Sequence, residues 1–145
     1  MAGDLERFVE AQDPVYAQVL AELRRGLKES HWMWFVFPQL AGLGRTEISR
    51  RYAIRSLDEA RAYLGHPVLG PRLHECAGIV AGTAGRTAED ILGSVDALKL
   101  RSSMTLFAMA DPHEPAFRDV LDRLYAGTPD ERTLDLLGAI GSAGD

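Results

Sequence analysis

A short aromatic block concentrates the chemistry that this sequence offers. Residues 31–40 read HWMWFVFPQL and contain both tryptophans and two of the five phenylalanines. The rings of Trp32 and Trp34 could stack on a planar ligand, and His31 and Gln39 at the two ends could orient it. The alternative is that the block forms the centre of the hydrophobic core. We interpret it as a core whose polar ends open into a ligand cleft.

A second candidate is the segment 96–107, which reads DALKLRSSMTLF. In a helix, Lys99, Ser102 and Ser103 fall at positions i, i+3 and i+4 and share a polar face opposite an apolar stripe. An ammonium group beside two hydroxyls suits an anionic or sugar-bearing ligand. The alternative is a solvated helix face whose hydroxyls bond back to the preceding turn.

A loop with two glycines follows the aromatic block. Residues 42–46 read GLGRT. The two glycines let the backbone approach a ligand, and Thr46 at the end of the segment can cap a helix. The loop lacks the Lys-Ser/Thr pair of a P-loop. In the helix behind it, Arg51 or Tyr52 could face the site, whereas Arg50 is expected to be a surface charge. Arg72 is a candidate phosphate ligand or a surface cation.

Composition limits the classes of partner. A net charge of -5 at pH 7 argues against a broad nucleic-acid-binding face. No segment reaches the ~18 consecutive apolar residues of a membrane span, and the N-terminus lacks a signal peptide, so we expect a cytoplasmic protein. No spaced set of metal ligands occurs, and neither a metal nor a cofactor is predicted. The oligomeric state is left open.

The elements that must position these residues are helices. The chain has 145 residues, of which 46% are hydrophobic and 26% charged, as in a soluble domain. Capping residues and a 3.6-residue period predict helices that begin at Asp13-Pro14, Ser56, Leu69, Thr87, Ser94 or Asp96, before Phe117, and at Thr128-Pro129. No strand-like alternation is found. We predict an all-α single compact domain, 1–145, of about seven short helices, with its core at about 5–137 and a frayed tail at 138–145.

Several segments together resemble a known family. They are the aromatic block, GLG at 42–44, SLDEA at 56–60, LGPRL at 69–73 and the segment 96–107. In this combination the chain resembles the small bacterial family called domain of unknown function 1810, sometimes mislabelled calpastatin, which includes a mycobacterial conserved hypothetical protein. The resemblance covers about residues 5–137. It implies a single mainly helical domain and carries no established reaction.

A fainter similarity points to a substrate class. The order of Glu59, the segment 69–73 and Asp96-x-x-Lys99 is similar to the NADAR family. Those are helical proteins tied to NAD and ADP-ribose metabolism that cleave N-glycosidic bonds. NADAR proteins place a Ser-Glu-His box in an early helix. This sequence departs from that pattern, because the aromatic block stands in that region instead.

The first functional hypothesis is an enzyme that acts on an ADP-ribosyl or related nucleoside compound, as an N-glycoside hydrolase. A carboxylate would stabilise the oxocarbenium-like transition state or activate water, by analogy with glycosidic chemistry. The candidate catalytic residues are Glu59, Asp96 and Lys99. The candidate ligand-binding residues are His31, Trp32, Trp34, Gln39, Arg51, Tyr52, Arg72, Ser102 and Ser103.

Two other hypotheses do not involve catalysis. The second is a module that binds a small nucleotide-like ligand or a protein through the same aromatic pocket. The third is a protein whose aromatic block is purely core and whose function lies in a partner surface. The first two hypotheses predict that His31, Gln39, Lys99 and Ser103 converge on one open cleft.

Overall fold

Helices make up the regular structure of this chain. A computed structural model describes the backbone of residues 5–144 and the side chains of residues 5–138. The helices are α1 Glu6–Gln12, α2 Tyr16–Arg25, α3 Met33–Val36, α4 Glu47–Arg51, α5 Leu57–Gly65, α6 Leu69–Ala81, α7 Ala88–Leu92, α8 Ser94–Ala110, α9 Pro115–Leu124 and α10 Glu131–Gly144. Seven of them have at least seven residues, and no strand occurs in the described range. The predicted all-α single domain is confirmed.

The long helix α8 is the centre of the molecule. It packs against α5, α7, α9 and α10. Its buried residues lie on most of its faces, as expected of a helix surrounded by others. The ring of Phe107 lies 5.3 Å from that of Tyr63 on α5 and 5.8 Å from that of Phe117 on α9, between centroids. These ring contacts join three helices into one core.

Local capping signals place several helices where the sequence predicts them. Ser56 accepts a hydrogen bond from the Glu59 backbone at the start of α5. Thr87 and Asp90 form a capping box at the start of α7. Pro71 lies in the first turn of α6, where its missing N–H has no helical partner to lose.

Two predicted helix starts are wrong, and in both places an arginine from another helix binds the segment ahead of the observed start. Asp13 does not cap α2; its carboxylate pairs with Arg72 at 2.9 Å, and α2 begins at Tyr16 without a side-chain cap. Pro129 does not occupy the first turn of α10. Arg101 binds the carbonyls of Thr128 and Pro129 at 3.0 and 3.1 Å.

Helix α10 instead begins after Asp130, whose carboxylate accepts hydrogen bonds from the backbone and hydroxyl of Thr133 at 3.0 and 2.6 Å. The helix continues to Gly144. The side chains from 139 onwards and the whole of residue 145 lie outside the described residues. The predicted fraying of 138–145 therefore stays a prediction. In the described part of the chain, no helix is long and apolar enough to cross a membrane.

A buried carboxylate ties the aromatic block to α2. Glu22 is fully buried, and its Oε1 accepts hydrogen bonds from the backbone N–H groups of Glu29 and Ser30 and from Trp32 Nε1, at 2.7, 3.0 and 2.9 Å. Its Oε2 accepts from Ser30 Oγ at 2.5 Å and Gln18 Nε2 at 2.8 Å. Five donors therefore converge on one side chain.

These donors decide the charge state of Glu22. Burial alone would raise its pKa, but the hydrogen bonds from Ser30, Glu29 and Gln18 outweigh burial and lower the pKa well below the usual range. A pKa lowered in the folded state stabilises the fold at pH values above the ordinary glutamate pKa. This stabilisation is lost as the pH falls below that value towards the folded-state pKa.

We expect Glu22→Gln to lower the free energy of unfolding at pH 7 by about 2–4 kcal/mol, because the amide turns its NH2 group towards donors that then lack an acceptor. Urea denaturation followed by circular dichroism measures this. The exposed Glu10→Gln makes the same charge change and serves as the control. The difference between wild type and Glu22→Gln should be smaller at about pH 3, which lies below the ordinary glutamate pKa, because wild type has lost part of the contribution of the charge there. An equal difference at both pH values would contradict a charged Glu22.

Candidate functional site

An open cleft lies between the aromatic block, α4 and the first half of α8. It has a larger lobe of about 450 Å³ and a smaller lobe of about 170 Å³. Both lobes are lined by Trp34, Gln39, Gly44 and Ser49, so they are adjacent parts of one cleft. The larger lobe has the size of a small-molecule site, whereas the smaller lobe has room for a compact group.

The wall of the cleft is a loop that is closed at its base. Leu40 and Ile54 form an isolated parallel bridge, in which the Ala41 N–H donates to Ile54 O at 2.7 Å and the Ile54 N–H donates to Gln39 O at 2.8 Å. Arg7 on α1 donates to two carbonyls near the end of the loop, at 2.7 and 2.9 Å. We call residues 41–53 the cleft loop. Its two ends are thus held together by backbone bonds and one arginine.

Two glycines let the cleft loop turn tightly. A Cβ atom on Gly44 would lie 2.4 Å from Ser49 Oγ, which leaves no space for a side chain. Gly42 has a φ of 102°, a conformation that other residues rarely adopt. Arg132 on α10 donates to the Gly42 carbonyl at 3.5 Å. The backbone therefore turns tightly beside the cleft, and its close approach to a ligand there stays a prediction.

The cleft is basic, although the chain as a whole has a net charge of -5. The cations of the lining are Arg50 and Arg55 in the smaller lobe and Arg45, Lys99 and Arg132 in the larger lobe. The lining contains one carboxylate, that of Asp130, which already caps α10. Among the side chains of residues 5–138, Arg45 and Arg50 form no ion pair. This lining attracts anions.

Lys28 and Lys99 are the only lysines of the sequence, and both bind Asp96. Lys28 Nζ lies 2.9 Å from Asp96 Oδ2, and Lys99 Nζ lies 3.6 Å from Asp96 Oδ1. Each ammonium also lies over one of the two tryptophan rings, Lys28 at 5.1 Å from the Trp32 centroid and Lys99 at 5.0 Å from the Trp34 centroid. Only the Lys99–Trp34 pair lines the cleft. Its ammonium and ring are thus held together at the cleft wall.

Residues 2–137 match the family described as a protein of unknown function, DUF1810. The chain belongs to the DUF1810 family. The crystal structure of the conserved hypothetical protein Rv1873 from Mycobacterium tuberculosis is similar to it at 56% sequence identity, with a TM-score of 0.92, over 93% of this chain and 96% of that chain. No curated protein matches the chain. The family expected from the sequence is confirmed, and the similarity to NADAR stays a prediction.

In this DUF1810 protein, five of the predicted site residues line the cleft: Trp34, Gln39, Tyr52, Lys99 and Ser102. Trp34 and Gln39 are half-buried and face both lobes. The Ser102 hydroxyl donates to Leu98 O at 3.2 Å. Asp96 stands behind Lys99 and is not part of the lining. The predicted convergence thus holds for Gln39 and Lys99.

The other members of the aromatic block and of α8 lie elsewhere. His31 is exposed and does not line the cleft. Trp32 is buried and donates its indole N–H to Glu22, so it belongs to the core. Ser103 is fully buried, and its hydroxyl has no hydrogen-bond partner among the described residues. These three side chains do not meet Gln39 and Lys99 in the cleft.

The remaining predicted residues stabilise other parts of the fold or face solvent. Arg72 pairs with Asp13, as described above. Glu59 accepts a hydrogen bond from the Arg55 backbone at 3.0 Å. It also pairs with Arg7 at 3.5 Å. Arg51 is exposed and outside the lining, whereas its neighbour Arg50, expected only as a surface charge, lines the smaller lobe.

Sequence reasoning missed the basic residues that complete the cleft. Arg132 reaches it from α10, about ninety positions beyond Gly42, and no local pattern indicates that contact. Lys28 does not line the cleft but shares Asp96 with Lys99, and it had a usable signal, since it is one of only two lysines in the sequence. Among the described side chains, no group of three or more His, Cys, Asp and Glu is placed to hold a metal ion.

Amine labelling is expected to distinguish the two lysines. The Lys99 side chain is 24% exposed and the Lys28 side chain 8% exposed, and Lys28 has the shorter ion pair. Reductive methylation should therefore modify Lys99 well before Lys28. Mass spectrometry of proteolytic peptides measures both rates, with the N-terminal amine as the internal reference. Equal rates for the two lysines would contradict this placement.

Two hydroxyls of α8 give a matched test of the packing behind the cleft. Thr105 Oγ1 donates to Arg101 O at 2.8 Å and accepts from the Asp130 backbone at 2.9 Å. We expect Thr105→Val to lower the free energy of unfolding by about 1 kcal/mol. Ser103→Ala should keep or raise stability, because it removes a buried hydroxyl without a partner. Urea denaturation compares the two, and an equal cost for both would show that the Ser103 hydroxyl is bonded.

Proposed function

We propose that the cleft binds a nucleotide-like anion, a compound that joins a planar ring to a phosphate group. The observation that carries this proposal is the basic lining around the half-buried Trp34, in a chain whose net charge is -5. Arginine and lysine provide charge-assisted hydrogen bonds to phosphate, and tryptophan provides a flat apolar face for a ring. The two features lie side by side in the cleft.

The two lobes suit the two parts of such a ligand. The smaller lobe, at about 170 Å³, has room for a phosphate group beside Arg50. A guanidinium binds phosphate with two parallel N–H groups. The larger lobe has room for a ring against Trp34, with Gln39 and Ser102 as polar groups for a sugar or for the ring edge. Trp34 borders both lobes, so it stands where ring and phosphate would join.

Lys99 plays a particular part in this arrangement. Its ammonium lies 5.0 Å from the Trp34 centroid, so it occupies one face of the ring when no ligand is bound. A ligand phosphate attracts the ammonium more strongly than the ring does, because it carries full negative charge. Asp96, 3.6 Å away, limits how far the ammonium moves. We propose that Lys99 turns from Trp34 to the phosphate as the ligand binds.

Cleavage of an N-glycosidic bond in the bound ligand stays a prediction from the sequence. The sequence proposes two carboxylates for this reaction. Glu59 pairs with Arg7 outside the cleft. Asp96 does not line the cleft, but it pairs with Lys99, which does. The carboxylate that lines the cleft is Asp130. Turnover of ADP-ribose or NAD is therefore tested after binding, by chromatography of the products. Lys99→Ala is expected to abolish any turnover found.

Binding is tested with ADP, ADP-ribose, adenosine and pyrophosphate, by thermal shift and then by calorimetric titration. We expect ADP and ADP-ribose to raise the Tm, because a ligand that binds the folded state stabilises it. Adenosine and pyrophosphate should bind more weakly, since adenosine lacks the phosphate group and pyrophosphate lacks the ring. Trp34→Ala should weaken ADP binding by about tenfold with little effect on pyrophosphate, and Arg50→Ala should weaken both.

Arg118→Ala is the control for these variants, because Arg118 is exposed on α9 and does not line the cleft. It removes the same charge as Arg50→Ala and should leave ADP binding unchanged. Circular dichroism confirms that each variant is folded. The absence of binding by all four compounds would refute the proposal. Equal losses in Arg50→Ala and Arg118→Ala would also refute it, since only net charge would then matter.

A further inference from the structure

Large apolar side chains surround the mouth of the larger lobe, and a ring-phosphate ligand does not account for them. Val95 and Leu98 are each 65% exposed and Ile48 is 37% exposed, and all three line this lobe. The other large hydrophobic residues exposed between residues 5 and 138 are Leu27 and Met109, and neither lines the cleft. We call Ile48, Val95 and Leu98 the apolar rim.

The apolar rim has two sides. Val95 and Leu98 are three residues apart near the start of α8, so they lie on one face of that helix. Ile48 belongs to α4, and all three residues line the same lobe. The side chains of Val95 and Leu98 are about two-thirds exposed, so they extend well beyond the interior of the lobe. An occupant that covers them must therefore extend past the mouth, which a small molecule seated in the cleft does not do.

Charge identifies the chemistry of that occupant. Arg45 and Arg132 line the same lobe as the apolar rim, and Arg45 has no ion pair among residues 5–138, as described above. An acidic partner is attracted to this lobe and repelled by the rest of a chain with 21 acidic and 16 basic residues. An anionic membrane presents a broad negative surface, which the net charge of this chain opposes. The combination favours a flexible acidic segment of a protein.

We infer that the apolar rim, with Arg45 and Arg132, binds an acidic polypeptide segment that carries apolar side chains. The apolar side chains of the segment pack against Val95, Leu98 and Ile48, and its carboxylates pair with the two arginines. Apolar contacts supply affinity, and the arginines select acidic sequences. This inference goes beyond nucleotide binding: it shares Arg45 and Arg132 with the basic lining of the larger lobe, but its apolar contacts are side chains at the mouth of the cleft that a nucleotide does not use.

The test is a selection from a random dodecapeptide phage library on the folded full chain, without nucleotide present. We expect enrichment of peptides that combine Asp or Glu with Leu, Ile or Phe. Synthetic copies labelled with fluorescein are then titrated by fluorescence polarisation. Leu98→Ser should weaken their binding by about tenfold, because it removes an apolar contact. Arg45→Ala should also weaken peptide binding, and the loss of affinity should be larger at low salt than at high salt.

Met109→Ser is the matched control, since Met109 is exposed on α8 but outside the cleft. It should leave peptide binding unchanged. The inference is overturned if no peptides are enriched, if the enriched peptides lack acidic residues, or if Leu98→Ser and Met109→Ser behave alike. It is also overturned if the protein sediments with vesicles of phosphatidylcholine and phosphatidylglycerol while no peptide binds, because the rim would then face a lipid surface.

Discussion

The position of the cleft depends on one buried carboxylate. Glu22 binds the backbone of residues 29 and 30 and the indole of Trp32, so the chain that leaves α2 enters the aromatic block along a single path. Trp32 directly precedes α3, and Trp34 is the second residue of that helix. With Trp32 held in the core, Trp34 is presented to the cleft. An apolar residue in place of Glu22 would fill the volume but leave buried donors without an acceptor.

The sequence predicts those parts of the structure that local chemistry decides. Ser56 and Thr87 mark helix starts because a cap and its acceptor are neighbours in the chain. Asp13 misleads because Arg72 binds its carboxylate from another helix, and Thr128 misleads because Asp130, two residues later, caps α10 instead. The same distinction applies to the cleft. The types and positions of Trp34, Gln39 and Lys99 point to a site, but the contribution of Arg132 depends on how α10 packs, and the burial of Trp32 depends on a residue ten positions earlier.

Arginine and lysine have different structural roles in this chain. Arg7 and Arg101 each bind two backbone carbonyls with one planar side chain, and both fasten a loop to a helix. Lys28 and Lys99 share Asp96 and cover tryptophan rings. The guanidinium presents several donors in fixed directions, whereas the ammonium is compact and mobile on a long stem. Arg7 and Arg101 therefore hold parts of the frame in place, whereas Lys99 has the mobile stem that the proposed exchange of partners requires.

The bridge between Leu40 and Ile54 separates the cleft loop from the residues that form the buried core. It closes residues 41–53 at their base, while the core around α8 is formed by other segments. The entropy cost of closing a loop grows only slowly with its length. Exposed residues of this loop, such as Arg45 and Glu47, can therefore be exchanged at little cost to the core, whereas Leu43 and Tyr52 pack against it. The fold thus behaves as a scaffold that carries a variable loop, in which new binding properties can arise while the core helices stay in place.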